Sequence, residues 1–257
     1  MNGTECGARP ARRVATGEET DVNMGGAGPA GAGAQSKLSD LGTIERTGTL
    51  AEQTYKRLWH ALLTGQLAPG EKVTVRGVAE AFGVSLSPAR EALARLTAER
   101  ALDLRPNHSV SVPVLTRARY RELVGIRLLL EGHAAEIAAG QMTDETVAAL
   151  EANWAAMSET VDRAESKRAL ELNAAFHFGI YRAAGIPTLT SIIETLWLQV
   201  GPSLSLLTPA YQRSQRGLAH HRAAIEAARA RDPAALRAAI EADLRDGMTA
   251  LEPLLPA

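Results

Sequence analysis

Apolar residues recur every three to four positions through most of residues 49 to 98 and again from 116 to 250, and between these stretches the period drops to two. The longer spacing puts apolar groups on one face of a helix; alternation marks a strand with one buried side. Ala51, Tyr55, Leu58 and Leu62 form a first helical stripe, with Thr49 placed to cap it, Glu52 to complete a capping box, and Gly65 and Pro69-Gly70 to close it. Val78, Ala79 and Phe82 belong to a second helix, which Gly83 is expected to end in left-handed backbone. A third follows almost at once. Ser87 is expected to cap it, Pro88 to fill its first position, where a missing N–H costs nothing, and Glu91 to favour the positive end of its dipole. Ala89, Leu93 and Leu96 then pack on the second helix, leaving Arg90 and the Ser85 to Ser87 edge outward. Leu102 and Leu104, then Val110, Val112 and Val114, alternate around a turn at Pro106, Asn107, His108 and Ser109. Helix, tight turn, helix and β-ribbon within residues 69 to 113 predict a winged DNA-binding unit.

Beyond Thr116 every long segment has helical period. Leu123, Ile126, Leu130, Ala134 and Ile137 make one stripe; Val147, Leu150, Trp154, Met157 and Val161 make another. Further helices are expected over about 167 to 184, stopped by Gly185 and Pro187; over 188 to 207, bent or broken at Gly201-Pro202; over 214 to 230; and over 233 to 250, opened by Asp232-Pro233. Such a count predicts an antiparallel all-α bundle, whose interior can hold a ligand or metal between facing helices.

That bundle carries polar residues where a core should not want them. Asn173 and His177 are four apart and share a helix face beside Phe176, His221 sits among Ala224, Ile225 and Ala228, and Asp243 among Leu236, Ala239, Ile240 and Leu244. Four metal-capable groups thus come from three helices. His220 points about 100° away from His221 and is expected to be exposed. Arg127 lies one residue off the first stripe, where a guanidinium can clamp a carboxylate or pair with Glu131 one turn on. Trp154, Trp197, Tyr181 and Met157 read as core.

Composition narrows the setting. In 257 residues there is one cysteine, Cys6, so no internal disulfide forms, and no signal peptide or membrane span is evident. A cytoplasmic protein is expected. Residues 1 to 47, with GGAGPAGAGA at 25 to 34, are expected to be a disordered tail. Residues 48 to 115 hold eight basic and six acidic residues, a surplus of +2, and residues 116 to 257 hold fifteen and seventeen, a deficit of −2. So small a positive surplus means that DNA affinity must come from geometry and from pairing two modules. The expected organisation is therefore a tail over 1–47, a winged helix-turn-helix over 48–115, and a helical effector-binding and dimerisation domain over 116–257.

PGEKV at 69–73, the Val78 to Ser85 turn, SPAREAL at 87–93, RLTAE at 95–99 and RPN at 105–107 resemble the winged helix-turn-helix of the GntR family of bacterial transcription regulators. IRLLLE at 126–131, NAAFH at 173–177 and HHRAAIEAARARDPAAL at 220–236 resemble the FCD effector domain of its FadR-like branch. The resemblance implies DNA contacts by Arg76, Ser85, Leu86, Ser87 and Arg90, with a wing tip, here His108, in the minor groove. It also implies a divalent metal, zinc or nickel, held by one Asp and three His beneath a cavity for a small carboxylate. By register those positions are Asn173, His177, His221 and Asp243, and an arginine at the place of Arg127 meets the effector.

This chain departs from the pattern at three points that carry chemistry. Leu86 stands where a base-reading arginine is common, so only apolar contact, such as with a thymine methyl, is available there. Asn173 loses a carboxylate that Asp243 restores, giving two nitrogens and two oxygens with more tolerance of manganese or magnesium. Ser109 replaces a glycine of the wing. The expected function is a DNA-binding transcription regulator, a repressor, working as a homodimer on a pseudo-palindromic operator under control of a small organic acid. A metal-dependent hydrolase is a rival suggested by the same His and carboxylate cluster, but no nucleophile or tuned base accompanies it. A ligand-independent architectural protein is the other rival.

Overall fold

The computed structural model describes residues 49–105, 109–163, 165–207 and 214–257. The expected tail, the turn residues Pro106, Asn107 and His108, and the tail's arginines and Cys6 lie outside them. The fold is mainly helical, a winged helix-turn-helix followed by an all-α bundle.

Helix α1 spans Leu50–Leu63, and the Thr49 hydroxyl accepts from the Glu52 amide at 3.2 Å, the cap its sequence predicts. A short strand β1, Lys72–Val73, precedes α2, Val75–Phe82, which Thr74 caps and Gly83 ends at φ +64°. Helix α3, Leu86–Ala98, starts earlier than expected: Ser85 is its N-cap, and Ser87 and Pro88 lie inside the first turn. Pro88 costs no hydrogen bond there, because first-turn amides have no partner within the helix. Ser87, freed from capping, donates to Glu91 at 3.3 Å. Leu58, Leu62, Val78, Phe82, Leu93 and Leu96 form an apolar core between the three helices.

Strands β2, Asp103–Leu104, and β3, Val110–Ser111, pair antiparallel as the wing, and β1 pairs with the other edge of β3, giving the order β1-β3-β2. The sequence reading missed β1, since two residues cannot show a period. It also misplaced Leu104 and Val114, which are exposed and not core.

The bundle comprises α4 Arg117–Gln141, α5 Asp144–Arg163, α6 Ser166–Ala183, α7 Pro187–Leu204, α8 Arg216–Ala230 and α9 Pro233–Leu251. Helix α4 packs along α9, α9 on α8, and α5 on α6. The buried face of α4 is Tyr120, Leu123, Val124, Arg127, Glu131, Ala134, Ala135 and Ala138, so the predicted stripe was rotated: Ile126 is exposed, and the face it displaced carries two charges. Asp232 caps α9 through the Ala235 amide, as its Asp-Pro start predicts.

Helix α7 is not broken at Gly201-Pro202: it runs through Pro202 to Leu204. Gly201 instead permits a crossing, since a Cβ there would lie 2.5 Å from the Leu62 carbonyl oxygen and 2.7 Å from that of Leu63. The C-terminal end of α1 thus rests directly on α7, and Gln66 donates to Glu171 of α6 across the same seam at 3.2 Å.

A candidate DNA-reading edge and a candidate metal and effector pocket

The first turn of α3 is presented, not buried. Ser85, Leu86, Ser87 and Arg90 are all exposed, as is Arg76 on α2, while Pro88 and Ala89 of the same turn face the core. A tight Gly83 turn brings α2 and α3 together so that their polar sides form one outward edge. His108, expected at the wing tip, falls outside the described residues.

In the bundle the structure brings three of the four predicted ligands together. His177 Nε2 stands 3.1 Å from Asp243 Oδ2, His221 Nε2 is 3.8 Å from Asp243 Oδ1, and the two Nε2 atoms are 3.3 Å apart. His177 and His221 are each 1% exposed, and the His221 ring stacks on Phe176 with centroids 4.2 Å apart. Asn173, half-buried one turn before His177, lines the same cavity. His220 is half-buried rather than exposed.

These spacings suit a metal ion. Four tetrahedral ligands at the usual zinc–nitrogen bond length lie about 3.3 Å from one another, which two of the three edges here approach. The electrostatics agree with the geometry. Burial acts to raise the Asp243 carboxyl, but the His221 and His177 imidazoles outweigh it and hold the group well below the usual carboxylate range. Burial pulls His221 below the ordinary histidine range against the opposing influence of Asp243, so its ring is neutral at pH 7, the form a metal needs.

Arg127 is on the wall of this cavity, 5% exposed, and already holds Glu131 through Nε at 2.5 Å and Nη2 at 3.3 Å. The ion pair with Glu131 is therefore formed, and the residue also faces the cavity. Burial opposes its charge, but Glu131 prevails and holds it above the usual arginine value. The guanidinium also stacks on Trp197 at 4.5 Å. The cavity, about 140 Å³, is also lined by Tyr120, Met157, Leu170, Leu204 and Leu218, with Thr160 and Gln215 as further polar groups. That volume accommodates a small metabolite, since a single water needs about 10–15 Å³ by this measure.

Tyr181 and Trp197, read from sequence as core, are buried but also join the polar network. Tyr181 donates to Glu131 at 2.5 Å and faces His177 Nδ1 at 3.0 Å; Trp197 donates to Glu131 at 3.1 Å. The signal that could have found Tyr181 is its spacing, four residues after His177 on the same face. Nothing local in the sequence points to Trp197.

The gntR family of bacterial regulatory proteins matches residues 50–112 and the FCD domain matches residues 122–246. The HTH-type transcriptional regulator McbR of Escherichia coli (strain K12) is 31% identical over 162 residues, covering 63% of this chain and 73% of McbR. This chain belongs to the GntR family. As a GntR regulator with an FCD domain it is also similar to the HTH-type transcriptional repressor RspR of Escherichia coli (strain K12), 26% identical over 60% of this chain and 67% of that protein. The solved structure of E. coli McbR/YncC matches it with a TM-score of 0.76 at 27% identity, over 81% of this chain and 99% of that one. The family and these relatives are transcription regulators, not enzymes, which sets aside the hydrolase reading. No helix among the described residues is long and apolar enough to cross a membrane.

Proposed function

We propose that this GntR regulator is a cytoplasmic homodimeric repressor whose hold on a pseudo-palindromic operator is set by a small carboxylate bound in the helical half. Residues 48–115 act as the DNA-binding domain, 116–257 as the effector and dimerisation domain, and 1–47 as a tail. The observation that carries the reading is the pairing, in one folded unit, of an exposed α3 first turn with a cavity lined by His177, His221 and Asp243.

In this reading Arg90, Ser85, Ser87 and Arg76 contact phosphates or bases in the major groove, and Leu86 offers apolar contact to a thymine methyl. His108 contributes at the wing tip. His177, His221 and Asp243 would hold zinc, nickel or manganese, with Asn173 lining the approach. Bound there, the ion would supply Lewis acidity toward an effector carboxylate. Arg127 supplies a hydrogen-bonding face to the same carboxylate; because Glu131 neutralises its charge, it orients the effector more than it attracts it. RspR is named a repressor, which supports that outcome here.

Pairing of two copies is supported by the exposed apolar strip of α4, where Leu129 is 66% and Ile126 38% exposed beside Gly125. Two-fold symmetry in the protein would then mirror that of the operator, and an effector that binds one spacing of the two winged helices better shifts binding. Leu129→Glu is expected to give a monomer by light scattering and to abolish tight operator binding. The deciding experiment is footprinting on duplexes including the DNA upstream of the gene, with an organic-acid series and with or without chelator. No preference for any duplex over random competitor, under every condition, would overturn the reading.

A further inference from the structure

Glu131 is fully buried and is the meeting point of the bundle's polar interior. It accepts from Arg127 Nε at 2.5 Å and Nη2 at 3.3 Å, from the Tyr181 hydroxyl at 2.5 Å and from Trp197 Nε1 at 3.1 Å. Four donors use the acceptor capacity of one carboxylate, so this charge is fully satisfied. Donors this fixed in number and direction constrain the groups beyond them.

Proton accounting extends the constraint to His177. Tyr181 has one hydroxyl proton, and the short contact to Glu131 Oε2 directs it to that carboxylate. Donated to Glu131, it leaves only the oxygen's lone pairs for His177 Nδ1 at 3.0 Å. Nδ1 must therefore be the N–H of that contact. With Nδ1 as that donor, Nε2 is the ring atom turned to Asp243 Oδ2 at 3.1 Å and to His221 Nε2 at 3.3 Å. Three potential ligand atoms thus converge in one buried space, within 4.8 Å of one another.

We propose that Tyr181 and Glu131 are positioning residues of the divalent-cation site: Tyr181 fixes His177 in the Nδ1–H tautomer with Nε2 aimed at the ion, and Glu131 anchors Tyr181 and Arg127 together. A metal ligand and the effector clamp thus hang from one buried carboxylate, and neither can turn without disturbing the other. This rests on the assignment of His177, His221 and Asp243 as the cation site.

The test uses full-length protein with Co²⁺ as probe, its affinity read by chelator competition, and long-range ¹H–¹⁵N spectra of histidine-labelled protein. Wild type should bind Co²⁺, His177→Ala should not, and Tyr181→Phe and Glu131→Gln should bind about 10- to 100-fold more weakly. Metal-free and Zn²⁺-loaded wild type should both carry the His177 ring proton on Nδ1, and Tyr181→Phe should mix the tautomers in the metal-free protein. Wild type and His177→Ala behaving alike would overturn the cation site itself. With that site intact, Tyr181→Phe binding as wild type, or a wild-type ring proton on Nε2 alone, would overturn the positioning role; the second measurement needs no variant to fold.

Discussion

The winged helix-turn-helix and the helical bundle divide polar and apolar groups in opposite ways. Around α1, α2 and α3 the core is mostly aliphatic and aromatic, its buried polar groups uncharged (Gln53, Thr54 and Thr64), and the candidate reading residues Ser85, Leu86, Ser87 and Arg90 stand outside it. Around α4, α6, α8 and α9 ionisable groups are inside: Arg127, Glu131, His177 and His221 are nearly or wholly buried. A surface that meets DNA phosphates needs its polar groups in water, ready to be desolvated on contact. A pocket selective for one small ligand would need them fixed and shielded from water, where an unmatched partner is costly. Substitutions should therefore trade stability against function differently in the two halves.

The sharpest test of that contrast is Glu131→Ala. It strands the buried Arg127 guanidinium and removes the acceptor for Tyr181 and Trp197, and the loss of stability is expected to be about 3–5 kcal/mol by urea denaturation. A loss under about 1 kcal/mol would mean that water already solvates this network. Gly201→Ala comes next, since its Cβ meets backbone and not a side chain that can turn away; about 1–3 kcal/mol is expected from the same measurement. Arg90→Ala should move stability by less than about 0.5 kcal/mol. Its effect belongs in a gel-shift titration, where operator binding should weaken by about 1–3 kcal/mol if Arg90 reads a base. Unchanged affinity there would remove it from the contact surface.

The same contrast explains what could be read from sequence. The winged unit is built from local signals: Thr49 and Gly83 do what their types and positions predict, and the Val78, Phe82, Leu93 and Leu96 spacing identifies its core. The error over Ser87 is also local, since Ser85 and Ser87 are both competent caps and only the path out of the Gly83 turn decides between them. In the bundle the helices were legible but their rotation was not. An apolar stripe through Ile126 scored well because the true buried face of α4 includes Arg127 and Glu131, which look like surface residues until Tyr181 and Trp197 arrive from 50 and 66 positions away. His177, His221 and Asp243 were identified because charged or ligating groups amid aliphatic neighbours are conspicuous; the network behind them was not, because its members pass for ordinary core.

The bare contact at Gly201 has a mechanical consequence. Side chains between helices act as a compliant layer that can absorb a small slide by changing rotamer, but the Leu62 and Leu63 carbonyls touch α7 with no such layer. Translation of α7 at that point is handed to the end of α1 almost undiminished, while tilting about it stays cheap. Leu204, which lines the cavity, lies on the same helix just past Pro202. A metabolite filling the space beneath Leu204 would thus act on a pivot, and the reading helix beyond α1 would swing as the long arm.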